Sequence, residues 1–538
     1  MSEKQKSFVK SAAILGIAGL IVKVLGAVFR IPLVNAVGTE GMGYYNVAYP
    51  IYALLVVVST AGLPTAISKL VSERAAIGDY AGAHATFRAA FRVLVLAGVI
   101  TSLVMFAASG FIAGSIVMQP KGALALMAIS PALFFVAVLS AYRGYFQGLQ
   151  LMSPTAVTQV IEQVGKLIFG LYLAYLWMPN GPEYGAGGAL AGVSISEVCA
   201  LVYIMGMYRR RRKELLLRAQ AGRTDKKKNM GGTVKKLLLI AVPVTLGACV
   251  MPIMAAIDSV IISRSLQAIG YSQQASASMY GTLTGVVNPL INMPAVLSLA
   301  LAMSLVPSIS ASAAQKNALQ LQSKVSFGLK LAVCIGLPAS FGFYLLAGPI
   351  IHLLFRSVAG AEFDLAVSLL RVLSLGVLFL TLVQSMTGVL QGLGKPALPV
   401  VGLAAGAAVK VFLSISLIRD ANVNIMGAVY GTMACYAIAA AIDIAFVLKN
   451  IRLRLSLMDH IIKPAVATAL MGGAALLVYR ALAGWSGTVG VLAAILAALL
   501  LYGFSLMFMQ AVTKEETALM PGGGRMRRLM RTAGIWKE

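Results

Sequence analysis

Apolar runs of about 20 residues, the length that crosses a bilayer core, follow one another along nearly all of the 538 residues. Nothing constrains the chain more. Inside hydrocarbon every backbone amide and carbonyl has to be paired within the protein, so only helices or a closed barrel satisfy such a chain. A barrel announces itself by short alternating strands, and these runs are continuous. The expected fold is therefore an all-α polytopic membrane protein. We place fourteen spans at 8–34, 45–69, 90–117, 122–146, 155–178, 186–208, 236–263, 275–305, 325–348, 365–392, 397–418, 425–448, 460–481 and 486–511. The seventh and eighth are rich in Pro, Gly and Ser.

Charge is scarce: 12% of residues against roughly 25% in soluble domains. It is also unevenly placed. The net charge of +26 comes from clusters at 4–10, 69–92, 209–236, 316–324, 449–463 and 525–537. Counted alternately from the N-terminus, all of these loops fall on one side. The positive-inside rule then puts both termini in the cytoplasm. It also makes anionic membrane lipids the natural neighbours of the basic face. No interleaving of basic and aromatic residues supports nucleic-acid binding. Cys199, Cys249, Cys334 and Cys435 lie inside spans without CxxC or Cys-His spacing, which reads as small buried hydrophobes. The N-terminal apolar run is too long for a cleaved signal and reads as the first span.

The segment 143–170, RGYFQGLQLMSPTAVTQVIEQVGKLIFG, recurs weakly 244 residues later. Gln147, Gly148, Leu149 and Lys166 fall on Gln391, Gly392, Leu393 and Lys410. Gly188, Ala189 and Gly192 echo Gly427, Ala428 and Gly431, and Pro64 echoes Pro307. The copies are six spans apart, an even number, so both cross the membrane in the same direction. This predicts a parallel pseudo-two-fold repeat, the pattern of an alternating-access transporter. The expected divisions are an N-lobe over 1–208 (helices 1–6), a basic cytoplasmic loop over 209–235, and a C-lobe over 236–448 (helices 7–12). Two extra C-terminal helices over 449–511 and a cytoplasmic tail over 512–538 complete the chain.

Ionisable groups inside spans are costly and face a bundle interior or a water-filled cavity. Here they are Lys23, Arg30, Glu162, Lys166, Glu197, Asp258, Arg371, Lys410 and Asp443. Arg143, Arg264 and Lys330 stand close enough to span ends to be expected to snorkel. Lys23 and Arg30 are two turns apart on one helix face. With Lys166, Arg371 and Lys410 they make up a candidate cationic cavity, suited to a phosphate-bearing substrate. Glu162, Glu197, Asp258 and Asp443 are the candidate ion-coupling groups or charge partners. Glu162 shares a helix face with Lys166 and is a candidate to neutralise it. Lys410 has no carboxylate in its own span, which makes Asp258 and Asp443 its candidate partners. Pro32, Pro64, Pro154, Pro243, Pro252, Pro289, Pro294, Pro307, Pro338 and Pro399 punctuate spans or their ends as kinks or hinges. Gly-rich faces such as GAGGALAG and GLAAGAA suit close helix packing. No zinc-protease, P-loop or nucleophile-elbow motif occurs, so neither an enzyme nor a metal or other cofactor is expected.

Three segments carry a resemblance: ILGIAGLIVKVLGAVFRIPLVNAVGTEGMGYYNVAYPIY, then STAGLPTAISKLVSE, then RGYFQGLQLMSPTAVTQVIEQ. They resemble the stage V sporulation protein B and polysaccharide-transporter group. That group lies in the superfamily of multidrug and oligosaccharidyl-lipid flippases, which includes the MurJ lipid II flippases. The resemblance implies fourteen helices in two six-helix lobes plus two. It also implies movement of an undecaprenyl-diphosphate-linked sugar, lipid II or a related lipid-linked saccharide, from the inner to the outer leaflet. Lys23, in the matching VKVLG stretch, inherits an expectation of substrate binding, and Arg30 lies beside it. Some relatives bind sodium through an acidic residue on helix seven, which Asp258 matches, and through Asn or Asp on helix eleven, where this chain has Lys410. Na+, H+ or the membrane potential are the candidate drives, and cell-wall synthesis proteins the candidate partners. The alternatives are a cation-coupled multidrug exporter of the same architecture and a non-transporting scaffold for wall synthesis.

Overall fold

The computed structural model describes residues 3–221, 230–451, 453, 456–484 and 486–511. The tail expected over 512–538 and the centre of the basic loop lie outside the described residues. Among the described residues the chain is helical, with no strand. Twelve helices are long and apolar enough to cross a membrane, or thirteen when the pair Gly360–Ser374 and Val377–Gly392, bent by 45°, is taken as one span. The chain is a multi-pass membrane protein. The expected count of fourteen is reached only if the 56-residue stretch Ile21–Ala76 is divided at Gly38. That stretch is too long for one crossing at 1.5 Å per residue. Gly38 interrupts it with φ 69° and ψ −178°, a backbone conformation open to glycine.

The helices form two compact units, Met1–Val286 and Val287–Glu538. In the first, α1 (Glu3–Thr60), α2 (Gly62–Ala76), α3 (Tyr80–Phe111) and α4 (Ala123–Gly148) come first. Then follow α5 (Ser153–Gly165), a π-helical turn over Lys166–Gly170, α6 (Leu171–Trp177), α7 (Pro182–Ala221), α8 (Met230–Ala268) and α9 (Gln273–Gly281). The second unit holds α10 (Asn288–Ala314), α11 (Ala318–Leu345), α12 (Ala347–Leu354), α13 (Gly360–Ser374) and α14 (Val377–Gly392). It ends with α15 (Leu398–Ile418), α16 (Met426–Asn450), α17 (Lys463–Ala483) and α18 (Gly487–Phe508). Much of the basic loop expected over 209–235 is helix, because α7 continues to Ala221 and α8 begins at Met230. Its Arg, Lys, Glu, Leu and Ala residues are strong helix formers.

The repeat read from the sequence reappears as the same packing inside each unit. In the first, Gly144 and Gly148 of α4 lie against Pro64, Ile67 and Val71 of α2. In the second, Gly388 and Gly392 of α14 lie against Ala302, Val306 and Ile309 of α10. Likewise Gly192 of α7 meets Gly170 at the end of the π-helical turn, as Gly431 of α16 meets Lys410 and Ser414 of α15. The buried clusters match too. One joins Leu63, Ile67, Phe87, Tyr142, Phe146 and Ile204. The other joins Leu305, Ile309, Val325, Met386, Val389 and Val447. Outward-facing Leu103, Leu499 and Phe508 remain exposed, as lipid contact requires. Without a hydrophobic drive between helices, close approach through small residues is what holds such bundles.

A side chain at Gly192 has no room: an added Cβ would stand 2.3 Å from the Gly170 nitrogen and 2.4 Å from its Cα. Gly192→Ala is therefore expected to cost about 1–3 kcal/mol through overpacking and to lower the melting temperature in detergent or nanodiscs. Gly206→Ala on the same helix, where nothing lies within 4 Å, should melt at or above wild type. Equal melting of the two variants would contradict this packing.

Candidate functional site

Arg30 is held from two sides. The kink at Gly38 folds α1 back so that Arg30 meets residues of its second arm. Its Nη1 donates to Asn46 Oδ1 at 3.1 Å and to the Thr284 carbonyl at 3.1 Å. Its guanidinium carbon lies 5.8 Å from the centre of the Tyr45 ring, in cation–π range. Asn46 is itself buried and donates to the Met42 carbonyl at 2.8 Å. Thr284 belongs to a π-helical turn, Thr282–Val287. In that wider register residue 289 is the donor to residue 284, and it is a proline with no N–H. The carbonyl is thus left for Arg30.

Helix α9 is held to α1 by a run of polar contacts. Thr39 and Ser278 hydroxyls lie 2.9 Å apart, Gln274 donates to Glu40 at 2.8 Å, and Tyr280 donates to the Asn46 carbonyl at 3.4 Å. Gly281 lets the α9 backbone approach so closely that an added Cβ would stand 1.8 Å from the Thr39 carbonyl oxygen. Asp258, half-buried on α8, lies within electrostatic reach of Tyr280.

Lys166 opens the π-helical turn after α5. Tyr49, Glu197, Glu162 and Tyr45 all lie within electrostatic reach of its ammonium group. Tyr45 is therefore flanked by two cations, Arg30 and Lys166. Glu162 was expected to pair with Lys166. Its carboxylate is instead taken by Arg143 of α4, whose Nε and Nη2 also donate to Thr158 Oγ1 at 3.0 and 2.9 Å. Arg143 does not snorkel: its side chain is 16% exposed and that of Glu162 12%. Sequence spacing saw only the neighbour on the same helix, whereas α4 brings a guanidinium whose fork fits a carboxylate better. The Glu197 carboxyl of α7 is buried, lies within electrostatic reach of Glu162, Lys166 and Arg143, and keeps Oε2 without a hydrogen-bond partner. Of the expected site residues, the fold thus gathers Arg30, Lys166, Glu162 and Glu197 and adds Arg143, Tyr45, Asn46 and Tyr49. The added residues lie inside GMGYYNVAYPIY and RGYFQG, but spacing alone does not reveal that a kink and a neighbouring helix converge them. Lys23, two turns before Arg30, is exposed.

The second unit holds the remaining candidates apart. Arg371 is exposed in the last turn of α13. Lys410 is half-buried, its stem against Gly431 of α16. Asp443 of α16 sits opposite Gly402, eight residues up α15 from Lys410 or about 12 Å of helix. Both its carboxyl oxygens are buried without a hydrogen-bond partner. The expected Asp443–Lys410 pairing is therefore not made. Thr387 of α14 is the polar neighbour of Asp443 but makes no bond of good geometry with it. Lys330 is another correction. It is only 2% exposed, well inside α11, and lies within electrostatic reach of Asp459. Arg264 is exposed at its helix end, as expected. Cys249, Cys334 and Cys435 are buried and Cys199 half-buried, all four outside any disulfide.

Residues 8–313, more than half of the chain, match the family model for polysaccharide biosynthesis proteins. The chain belongs to that family. Residues 243–415 also match the MatE family. Among relatives of this family member, stage V sporulation protein B of Bacillus subtilis (strain 168) is 26% identical over 523 residues, 97% of this chain and 99% of the relative. The lipid II flippase MurJ of the same organism is 27% identical over 441 residues, 79% of each chain. A multidrug resistance MATE family transporter of the MOP superfamily, solved in an inward-facing conformation, superposes with a TM-score of 0.66. It is 16% identical and covers 82% of this chain and 98% of its own. The fold is thus that of the transporters and flippases of this superfamily.

The Arg143–Glu162 pair gives a direct test. Removing one member leaves a buried charge without its partner, at about 3–5 kcal/mol. Arg143→Met and Glu162→Gln are expected to destabilise strongly one at a time and much less together. Unfolding midpoints around this double-mutant cycle measure the coupling, and simple additivity would mean that the pair is not formed.

Proposed function

We propose that this polysaccharide biosynthesis protein is a flippase. On this reading it carries an undecaprenyl-diphosphate-linked saccharide, lipid II or a related cell-wall precursor, from the inner to the outer leaflet of the bacterial plasma membrane. The observation that carries the proposal is the pair of cations, Arg30 and Lys166, flanking Tyr45 inside one membrane-embedded unit. A diphosphate presents two negative groups to such a site: Arg binds phosphate through a planar fork and Lys as a point charge. Tyr45 and Tyr49 stack on each other beside these cations, with ring centres 5.5 Å apart. Lys23, Arg371 and Lys410 are further candidate contacts. The names of the relatives support the same substrate class, since one is a lipid II flippase. No covalent chemistry is required. Two lobes alternate access, with both termini cytoplasmic and the basic loops against anionic lipids. Na+, H+ or the membrane potential supplies the drive, and cell-wall synthesis proteins receive the product.

The match of residues 243–415 to the MatE family favours a second reading, a cation-coupled multidrug exporter. Growth protection against cationic dyes, lost in Asp258→Asn or Glu162→Gln, would select it.

The flippase reading is tested by rescue of a strain depleted of its own lipid II flippase, with outer-leaflet accessibility of the labelled precursor read alongside growth. Wild type should restore both. Arg30→Ala and Lys166→Ala, expressed at normal levels, should each lose roughly 10–100-fold in translocation. That corresponds to the 1.5–3 kcal/mol of a charge-assisted contact. Normal translocation by both variants would remove these cations from the substrate path.

A further inference from the structure

Asp443 lies on α16, a helix long and apolar enough to cross the membrane, and is 0% exposed. Both of its carboxyl oxygens are buried without a hydrogen-bond partner. A Cβ added to Gly402 of α15 would stand 2.8 Å from Asp443 Oδ1, 3.3 Å from the Ala439 carbonyl oxygen and 3.3 Å from a methyl group of Ile442. One carboxyl oxygen, one backbone oxygen and a methyl thus border the same spot. Among the described residues, the helices packed there bring no countercharge to it. Helix α14 carries no ionisable residue, and Lys410 stands about 12 Å along α15 from Gly402. Gly376, just after the α13 helix that carries Glu362, Asp364 and Arg371, meets α16 at Met433 and Tyr436. Those two are about two turns or more before Asp443. Lys449 is exposed in the last turn of α16.

The repeat explains the missing cation. The offset of 244 residues that matches Lys166 with Lys410 carries Arg143, Thr158 and Glu162 to Thr387, Gly402 and Gly406. The first unit answers a buried carboxylate with a guanidinium, and the second presents a carboxyl where the guanidinium and its hydroxyl anchor are absent. An ionised carboxyl there has no countercharge and faces a backbone oxygen, so it neutralises by taking a proton. The protonated form gains one O–H to donate, and the Ala439 carbonyl, one turn earlier, is the acceptor beside Oδ1. A hard metal cation takes about six oxygen ligands, whereas the spot at Gly402 offers two oxygens and a methyl.

We propose that Asp443 is a proton-binding site, occupied while α15 and α16 are packed at Gly402 and emptied when they part and water reaches the carboxyl. In that step the carboxylic acid becomes a carboxylate and water takes the proton, so the second unit gains one negative charge for each proton released. This names H+ among the drives given above. Its use as a drive rests on the transport reading, and the proton binding does not.

Infrared spectra of the purified full-length protein in nanodiscs at neutral pH test the site. Wild type should show the carbonyl band of a protonated carboxylic acid. Asp443→Asn should remove a component of that band which Glu197→Gln leaves in place. Replacing choline chloride with sodium chloride should not change this component. A band untouched by Asp443→Asn would overturn the proposal, and so would a component that sodium removes, which would assign the site to a metal cation. Should the asparagine variant fail to fold, Asp443→Ala, smaller and without an unpaired acceptor, takes its place. In the depleted strain, Asp443→Asn at normal expression should lose about tenfold or more in translocation, the usual size of a coupling between sites. Loss of the band component with full translocation would overturn the use of this proton as the drive. Failure of wild type itself to rescue would count against the flippase reading, and the infrared result would still decide the proton site.

Discussion

The ion pair between Arg143 and Glu162 is the constraint on which the first unit turns. A guanidinium and a carboxylate cannot stand in a bilayer interior unless each meets the other in good geometry. Satisfying them fixes α4 against α5 at one register, because Arg143 must also reach Thr158. That register in turn places Lys166, one turn beyond Glu162, on the side where α1 presents Tyr45 and Tyr49. The glycine contacts of α4 with α2 then carry the same register outward. A single electrostatic requirement thus positions four helices and decides which lysine can face a ligand.

Backbone irregularity does the complementary work. An uninterrupted helix uses all of its interior carbonyls and cannot offer one to a side chain. The kink at Gly38 and the π-helical turns at Lys166–Gly170 and Thr282–Val287 occur where charged groups gather. Wider turns of this kind often mark functional positions. At Thr284 the freed carbonyl is visibly used, by Arg30. Asn46 adds a second anchor from the far arm of the same kinked helix, so the guanidinium is held while one face remains over the Tyr45 ring. Such a charge is oriented before any ligand arrives, which lowers the ordering cost of binding.

The spans were legible because their apolar runs match the bilayer thickness, and the repeat because glycine packing demands glycine. Gly148 and Gly392 survive in both copies since any larger residue collides with the facing helix. The partners of buried charges were less legible. Helical spacing relates Glu162 to Lys166 but says nothing of Arg143, nineteen residues earlier and across a turn. The same blindness paired Lys410 with Asp443, where antiparallel helices bring Gly402 opposite that carboxyl. The basic segment after 208 read as loop because it is too polar for lipid. Polarity excludes it from the membrane, but its composition favours helix, and α7 simply continues past the membrane edge.

Lys166 and Lys410 descend from the same position of the repeat, yet they occupy different chemistry. Lys166 sits among two carboxyls and two tyrosines, while the stem of Lys410 packs on Gly431 and the carboxyl of Asp443 lies about 12 Å further along its helix. A duplicated bundle needs the lysine for charge placement only where carboxyls stand close enough to compete for it. The first unit keeps that competition, with Arg143 securing one carboxyl and leaving the other unsatisfied. The second has separated Lys410 from the carboxyl of Asp443. Two copies of one packing scheme therefore divide the labour. The glycine contacts that define the bundle are common to both, and the Arg143–Glu162 pair with Lys166 beside it belongs to the first.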